Sequence, residues 1–165
     1  MRSEAKIQDW KDSDSVNSKS TLRLWLRLLT ATTLIEKQIR NYLQNEFGTT
    51  LPRFDVLAAL ERSPDGLTMS ELSNRLLVSN GNVTGLVARL QEDGLVKRTQ
   101  SKDDGRSFRV CLTRKGKNLF GPIAAQHEAF VETMLADLSP RQTEVLIELL
   151  EDVHRSAKKS IDERS

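Results

Sequence analysis

The sequence predicts a mainly α fold carrying one small β-hairpin, on three observations. Apolar residues recur at helical spacing across most of residues 20 to 163. The period drops to two in "LVKRTQ" and "SFRVCLT", which flank the Asp-Gly turn signal of "SKDDGR". Between these regimes, "SNGNVTGLVARLQEDGLVKR" (residues 79–98) keeps a helical apolar face yet carries Gly81 and Gly85, each costing a helix about 1 kcal/mol relative to alanine. That face is kept clear for something other than stability.

A chain of 165 residues is long enough to bury one compact core, and 29% charged residues make it water-facing. The single cysteine, Cys111, excludes an intramolecular disulfide and a multi-cysteine zinc site. His127 and His154 fall on separate predicted helices without metal spacing, and neither a phosphate loop nor a nucleophile motif occurs. The expectation is a protein that is not an enzyme, with no cofactor and no metal. No apolar run approaches the roughly 20 residues of a membrane span, and "MRSEAKIQDW" lacks a signal-peptide core, so the expected compartment is the cytoplasm. Charge is unevenly spread: residues 68–116 hold nine Lys or Arg against five acids, and residues 128–165 the reverse. The middle is the part suited to an anion, although a solvated surface varies by this much too.

Residues 1–19 are polar and aperiodic and read as a flexible arm. From residue 20 to 48, Leu24, Leu28, Ala31, Ile35, Ile39 and Tyr42 form one helical stripe and Leu22, Trp25, Leu26 and Leu29 a second, so this helix needs cover on two sides. Pro52 suits the first turn of "PRFDVLAALER", which stops at "SPDG". Thr68 and Glu71 make a capping box for a short helix; Ser79 caps the next, in which Val83, Leu86, Val87 and Leu90 form the buried side and Gly94 closes the end. Two short helices joined tightly are a helix-turn-helix (68–94), and the hairpin that follows (95–113) is a wing. The next segment is helical with an irregularity at Gly121-Pro122, and Ser139-Pro140-Arg141-Gln142 starts the last helix, striped by Leu146, Leu150, Val153, Ala157 and Ile161. The terminal helices, 20–48 and 117–163, either fold back on their own domain or join two copies into a homodimer; one small domain cannot cover both, which favours the homodimer.

On a helical wheel Gly81, Gly85 and Ala88 point away from the buried side, with Thr84 on one flank and Asn82 and Arg89 on the other. A strip poor in side chains and polar at its edges fits the major groove of double-stranded DNA, where Asn80 and Asn82 suit adenine edges and Thr84 a base or a thymine methyl. A helix starting only near Val83, after an "SNGN" loop, is the alternative. Arg89 fits a phosphate or an intramolecular ion pair equally. In the wing, Lys102 and Arg106 bracket Asp103-Asp104-Gly105; Arg106 suits a narrow minor groove, and a plain solvated hairpin tip has the same composition.

The stretch "LTMSELSNRLLVSNGNVTGLVARLQEDGLVKRTQSKDDGRSFRVCLTRKG" resembles the MarR family of winged helix-turn-helix regulators. The pattern comprises the helix-turn-helix, the "GLV-R" exit, the Asp-x-Arg wing (Asp104, Arg106) and "LT-x-x-G" (Leu112, Thr113, Gly116), and its order extends over residues 20–160. The resemblance implies a homodimer whose paired reading helices meet a palindromic operator. Gly85 departs from it, since many relatives carry a larger polar residue there. "LRLWLRLLTATTLIEKQIR" and "TTLPRFDVLAALER" look like a subgroup that represses aromatic-acid catabolic genes and is released by aryl-CoA thioesters. That implies an effector, an aromatic acid or its CoA thioester; Trp25, Phe54 and Leu57 suit the lining of an aromatic cleft between the first two helices and the dimer core, with Arg23, Arg27, Arg40 or Arg53 available to CoA phosphates, and core packing and surface exposure are the competing readings of the same residues. Two rival functions are an oxidant-sensing regulator acting through Cys111 and a winged-helix interaction module that does not bind DNA.

Overall fold

The structure is a computed structural model that describes residues 14–100 and 108–162. The first helix, α1 (Asp14–Phe47), starts six residues before the expected boundary at 20. Residues 14–19 carry only one apolar side chain, Val16, and add no stripe, so periodicity could not reveal this extension; residues 1–13 of the expected arm lie outside the described residues. Then follow α2 (Leu51–Glu61), α3 (Met69–Leu76), α4 (Asn80–Glu92), the strands β1 (Val96–Gln100) and β2 (Phe108–Leu112), α5 (Arg114–Met134) and α6 (Pro140–Asp162). The chain divides into two compact units between Phe120 and Gly121.

The first unit owns the core. Leu43, Val56, Leu72, Val83, Val87, Leu90 and Val110 are fully buried, so α1 to α4 and the hairpin each contribute to one apolar centre. Phe54 meets Phe120 with ring centroids 5.3 Å apart. β1 and β2 pair antiparallel with Val96 opposite Leu112 and Gln100 opposite Phe108. Leu67, just before α3, adds a bridge: its N–H donates to Val110 O (3.0 Å) and the Val110 N–H donates back (2.7 Å).

Local chemistry explains the joints. The Thr68 hydroxyl accepts from the Glu71 N–H (3.2 Å) while the Glu71 carboxylate accepts from the Thr68 N–H (2.7 Å), which closes the capping box. These bonds, the backbone one foremost, hold the Glu71 carboxyl below its usual range. Arg109 locks β2 to the same corner, donating to Gly66 O (2.9 Å) and pairing with Glu71 (3.2 Å). Gly116, the glycine of "LT-x-x-G", packs so closely under β1 that a Cβ there would collide with Leu95 O. Gly116→Ala is therefore expected to cost about 1–3 kcal/mol, read as a lowered melting temperature; an unchanged one would show that this contact gives way freely.

In the second unit α5 continues as a helix past Pro122 to Met134, so the irregularity expected at Gly121-Pro122 does not interrupt it. Burial pushes the His127 imidazole down, favouring its neutral form. Ser139 and Gln142 form the second reciprocal cap, with the Ser139 N–H donating to Gln142 Oε1 (2.9 Å). Behind it α6 is exposed almost throughout, and Val145, Leu146, Ile147, Leu149 and Leu150 all lie open. In the first unit Leu22, Leu24, Trp25, Leu26 and Leu29 on α1 are open as well. No helix among the described residues is long and apolar enough to cross a membrane.

Candidate nucleic-acid interface

One side of α4 is sealed and the other is bare. Val83, Val87 and Leu90 are fully buried, while Asn80, Gly81, Asn82, Thr84, Gly85, Ala88 and Arg89 are exposed. A Cβ built on Gly81 or Gly85 meets nothing within 4 Å, so neither glycine is there for internal packing. The helix starts at Asn80 rather than near Val83, because the Ser79 hydroxyl accepts from the Asn82 N–H (3.4 Å) and Ser79 O from the Val83 N–H (3.2 Å). The remaining N–H groups of the first turn have no helical acceptor and point out of its positive end.

The Thr84 hydroxyl donates to Asn80 O (2.8 Å). Its proton is therefore committed inside the helix, and the outer surface receives the methyl and the oxygen lone pairs.

At its other end α4 is clamped. Asp93, which closes the helix, accepts from Arg53 of α2 (2.6 Å) through its carboxylate and from Lys115 of α5 (2.8 Å) through its carbonyl. Gly94 then turns away with φ +71°.

Of the basic residues counted between 68 and 116, three are engaged by hydrogen bonds within the chain. Arg75 binds Ser63 Oγ (2.8 Å) and Ala59 O (3.3 Å), Arg109 binds the Gly66 corner, and Lys115 holds Asp93. Arg89, Lys97, Arg98 and Arg114 are exposed and make no ion pair among the described residues. Of the two readings of Arg89, the ion pair is thus absent among those residues. Lys102 and Arg106, with the whole 101–107 tip, lie outside the described residues.

The seven effector candidates are not gathered. Phe54 and Leu57 are core residues, 7% and 4% exposed, with the Phe54 ring packed on Phe120. Arg40 pairs with Glu36 one turn back on α1, and Arg53 is held by Asp93. Arg23, Trp25 and Arg27 are exposed, but at 100° per residue Trp25 lies across the helix from the two arginines. Trp25 is also roughly 27 Å along the axis from Leu43, where α1 enters the core.

No sequence signal marks Asp55, which is half-buried on α2 near Glu36 and Arg40. Burial, assisted by Glu36 and opposed by Arg40, raises its carboxyl from the ordinary 3.8 to about 6. Between those values the folded chain binds more protons than the unfolded one, so this group's contribution to stability falls as pH rises through the window. Asp55→Asn is expected to be more stable than the wild type at pH 7 by about 1 kcal/mol after solvent screening and equal to it near pH 4. Melting temperatures across pH check this; parallel curves would refute the shift.

A family model described as MarR family matches residues 47–107, from the end of α1 to just before β2. A MarR family transcriptional regulator from Silicibacter pomeroyi is 34% identical, with 88% of this chain and 99% of that one covered and a TM-score of 0.73. Sco3205 from Streptomyces coelicolor, a MarR family regulator solved in complex with DNA, is 27% identical over 82% of this chain and 86% of its own, TM-score 0.73. The transcriptional activatory protein BadR of Rhodopseudomonas palustris is 31% identical over 120 residues, 71% of this chain and 68% of BadR. At 34% identity across 99% of the S. pomeroyi regulator and 31% identity across 68% of BadR, the chain belongs to the MarR family of transcriptional regulators.

Proposed function

We propose that this chain is a homodimeric DNA-binding regulator that lays residues 80–89 of α4 in the major groove, with Lys102 and Arg106 of the wing at the adjacent minor groove. The observation that carries the reading is the vacant strip: Gly81 and Gly85 face open space on a helix whose reverse side is buried at Val83, Val87 and Leu90. Asn80, Asn82 and Thr84 border it with side chains suited to base edges, and Arg89, Lys97, Arg98 and Arg114 supply cations for phosphate. The apolar residues exposed on α1 and on α6 favour pairing of two copies, which would present two α4 helices to half-sites about 10 bp apart. Selection from a pool of randomised 30-bp duplexes tests this: the expected result is a palindrome whose affinity falls steeply with salt. If no duplex is enriched, the reading fails. A winged interaction module without DNA is the less favoured reading, because it leaves the strip unused. Oxidant sensing is less favoured too, since Cys111 is half-buried in the hairpin with Thr99 Oγ1 at 3.5 Å.

The finer proposal is that an aromatic acid or its CoA thioester releases the operator, as in repressors of aromatic-acid catabolism. Exposed Trp25 on α1 supports an aromatic ligand completed by the second copy, which would have to supply the cations because Arg23 and Arg27 lie on the opposite face of the helix. The relative from R. palustris is by its name an activator, and the sign of control depends on where the operator lies. Thermal shifts with benzoyl-CoA, a hydroxycinnamoyl-CoA, the free acids and CoA alone test it. Stabilisation by a thioester or acid, lost in Trp25→Ala, is expected; no shift with any of them would remove this effector class.

A further inference from the structure

Leu77 occupies a position that folding alone would give to glycine. It closes α3 in the left-handed region at φ +54°, the only positive-φ residue other than glycine among the described residues. Its N–H donates to Asn74 O (3.4 Å) and the Val78 N–H to Ser73 O (3.2 Å), the paired bonds of a helix end at which glycine dominates because a Cβ is strained there. A branched, bulky side chain in that conformation is an outlier. It is also 88% exposed, the most open of the large apolar residues among those described, and Val78 beside it is 40% exposed. Leu77 thus carries backbone strain and recovers little of it by burial within the chain. Strain of this kind persists where a function uses it.

Its place names the user. Leu77 precedes Asn80 by three residues, so its Cα is within about 11 Å of the first residue of α4, next to the Ser79 cap and the bare strip. We propose that Leu77 is a DNA-contacting residue that packs its side chain on the deoxyribose edge of the operator backbone as the start of α4 enters the groove. The proposal rests on the reading of α4 given above. The sugar, rather than a base, is the partner because Leu77 stands outside the strip that faces base edges, where the groove wall is backbone. The contact is apolar and adds no counterion release. It therefore acts on any duplex sequence and leaves the salt slope unchanged.

The experiment uses the full chain and two probes: the duplex that the wild type enriches from a randomised pool, and a 30-bp duplex of unrelated sequence. Leu77→Gly is expected to raise the melting temperature by about 3 °C while weakening both duplexes about fivefold, with parallel salt dependences. Leu77→Ala should weaken binding equally without the thermal gain, and Leu77→Met should restore wild-type affinity. Wild-type affinity in Leu77→Gly overturns the proposal and leaves the α4 reading standing. Loss of both stability and affinity in Leu77→Gly overturns it too, by making Leu77 a structural residue. Loss on the enriched duplex alone shifts the contact to a base and refutes the sugar assignment. A wild type that enriches no duplex ends both.

Discussion

Gly85→Glu is expected to abolish operator binding while leaving the protein slightly more stable than the wild type. The two effects separate because Gly85 has no internal neighbour: a Cβ there meets nothing within 4 Å. Inside a helix glutamate is favoured over glycine by about half a kcal/mol, so the melting temperature should rise. On the outer face the same side chain fills the clearance and sets a carboxylate against phosphate, where like charges cost several kcal/mol. A loss of at least about a hundredfold in affinity, near 3 kcal/mol, is the expected size. Gly85→Ala gives the graded control, with higher stability and a smaller loss. Titration of the enriched duplex and a thermal melt read both quantities, and retained binding by Gly85→Glu would place the DNA elsewhere.

The double variant Leu146→Asp, Leu150→Asp should give a folded monomer that binds DNA about a hundredfold to ten-thousandfold more weakly. Both residues are exposed on α6, 43% and 41%, so within one chain the change removes little packing. Between two copies it would bury four added carboxylates in an apolar seam. The second reading helix then binds as a separate molecule, without the millimolar effective concentration that linkage provides. Sedimentation gives the assembly state, circular dichroism the fold, and titration the affinity. A variant that stays dimeric would move the seam off α6.

What could be read in the sequence follows from how far each signal reaches. The Thr68–Glu71 box, the Ser79 cap and the Ser139–Gln142 box are local patterns, and each closes as its residues predict. The hairpin was legible because the switch from period 3.6 to period 2 is itself local. The bare face of α4 was legible too, since a helical wheel needs only that the segment be a helix. The start of α1 at Asp14 was not, because polar residues lengthen a helix without leaving a stripe. Phe54 and Leu57 are core rather than cleft for a similar reason: periodicity says that a face is apolar, not what covers it. Arg53–Asp93 and Arg109–Gly66 are 40 and 43 residues apart, and no spacing rule joins partners at that range. Leu77 looked like an ordinary apolar position until its backbone angle was known.

The two ends of α4 are held very differently. At Asp93 a guanidinium from one helix and an ammonium from another converge, whereas the opening turn is closed by Ser79 alone, its hydroxyl accepting from the Asn82 N–H (3.4 Å) and its carbonyl from the Val83 N–H (3.2 Å). Such a rod is moored by more ties at one end than at the other, like a gangway bolted to the hull and roped to the quay. Amide exchange in the free protein should accordingly run fastest over its opening turn, and the turn that travels to fit an incoming duplex would be the one bearing the asparagines.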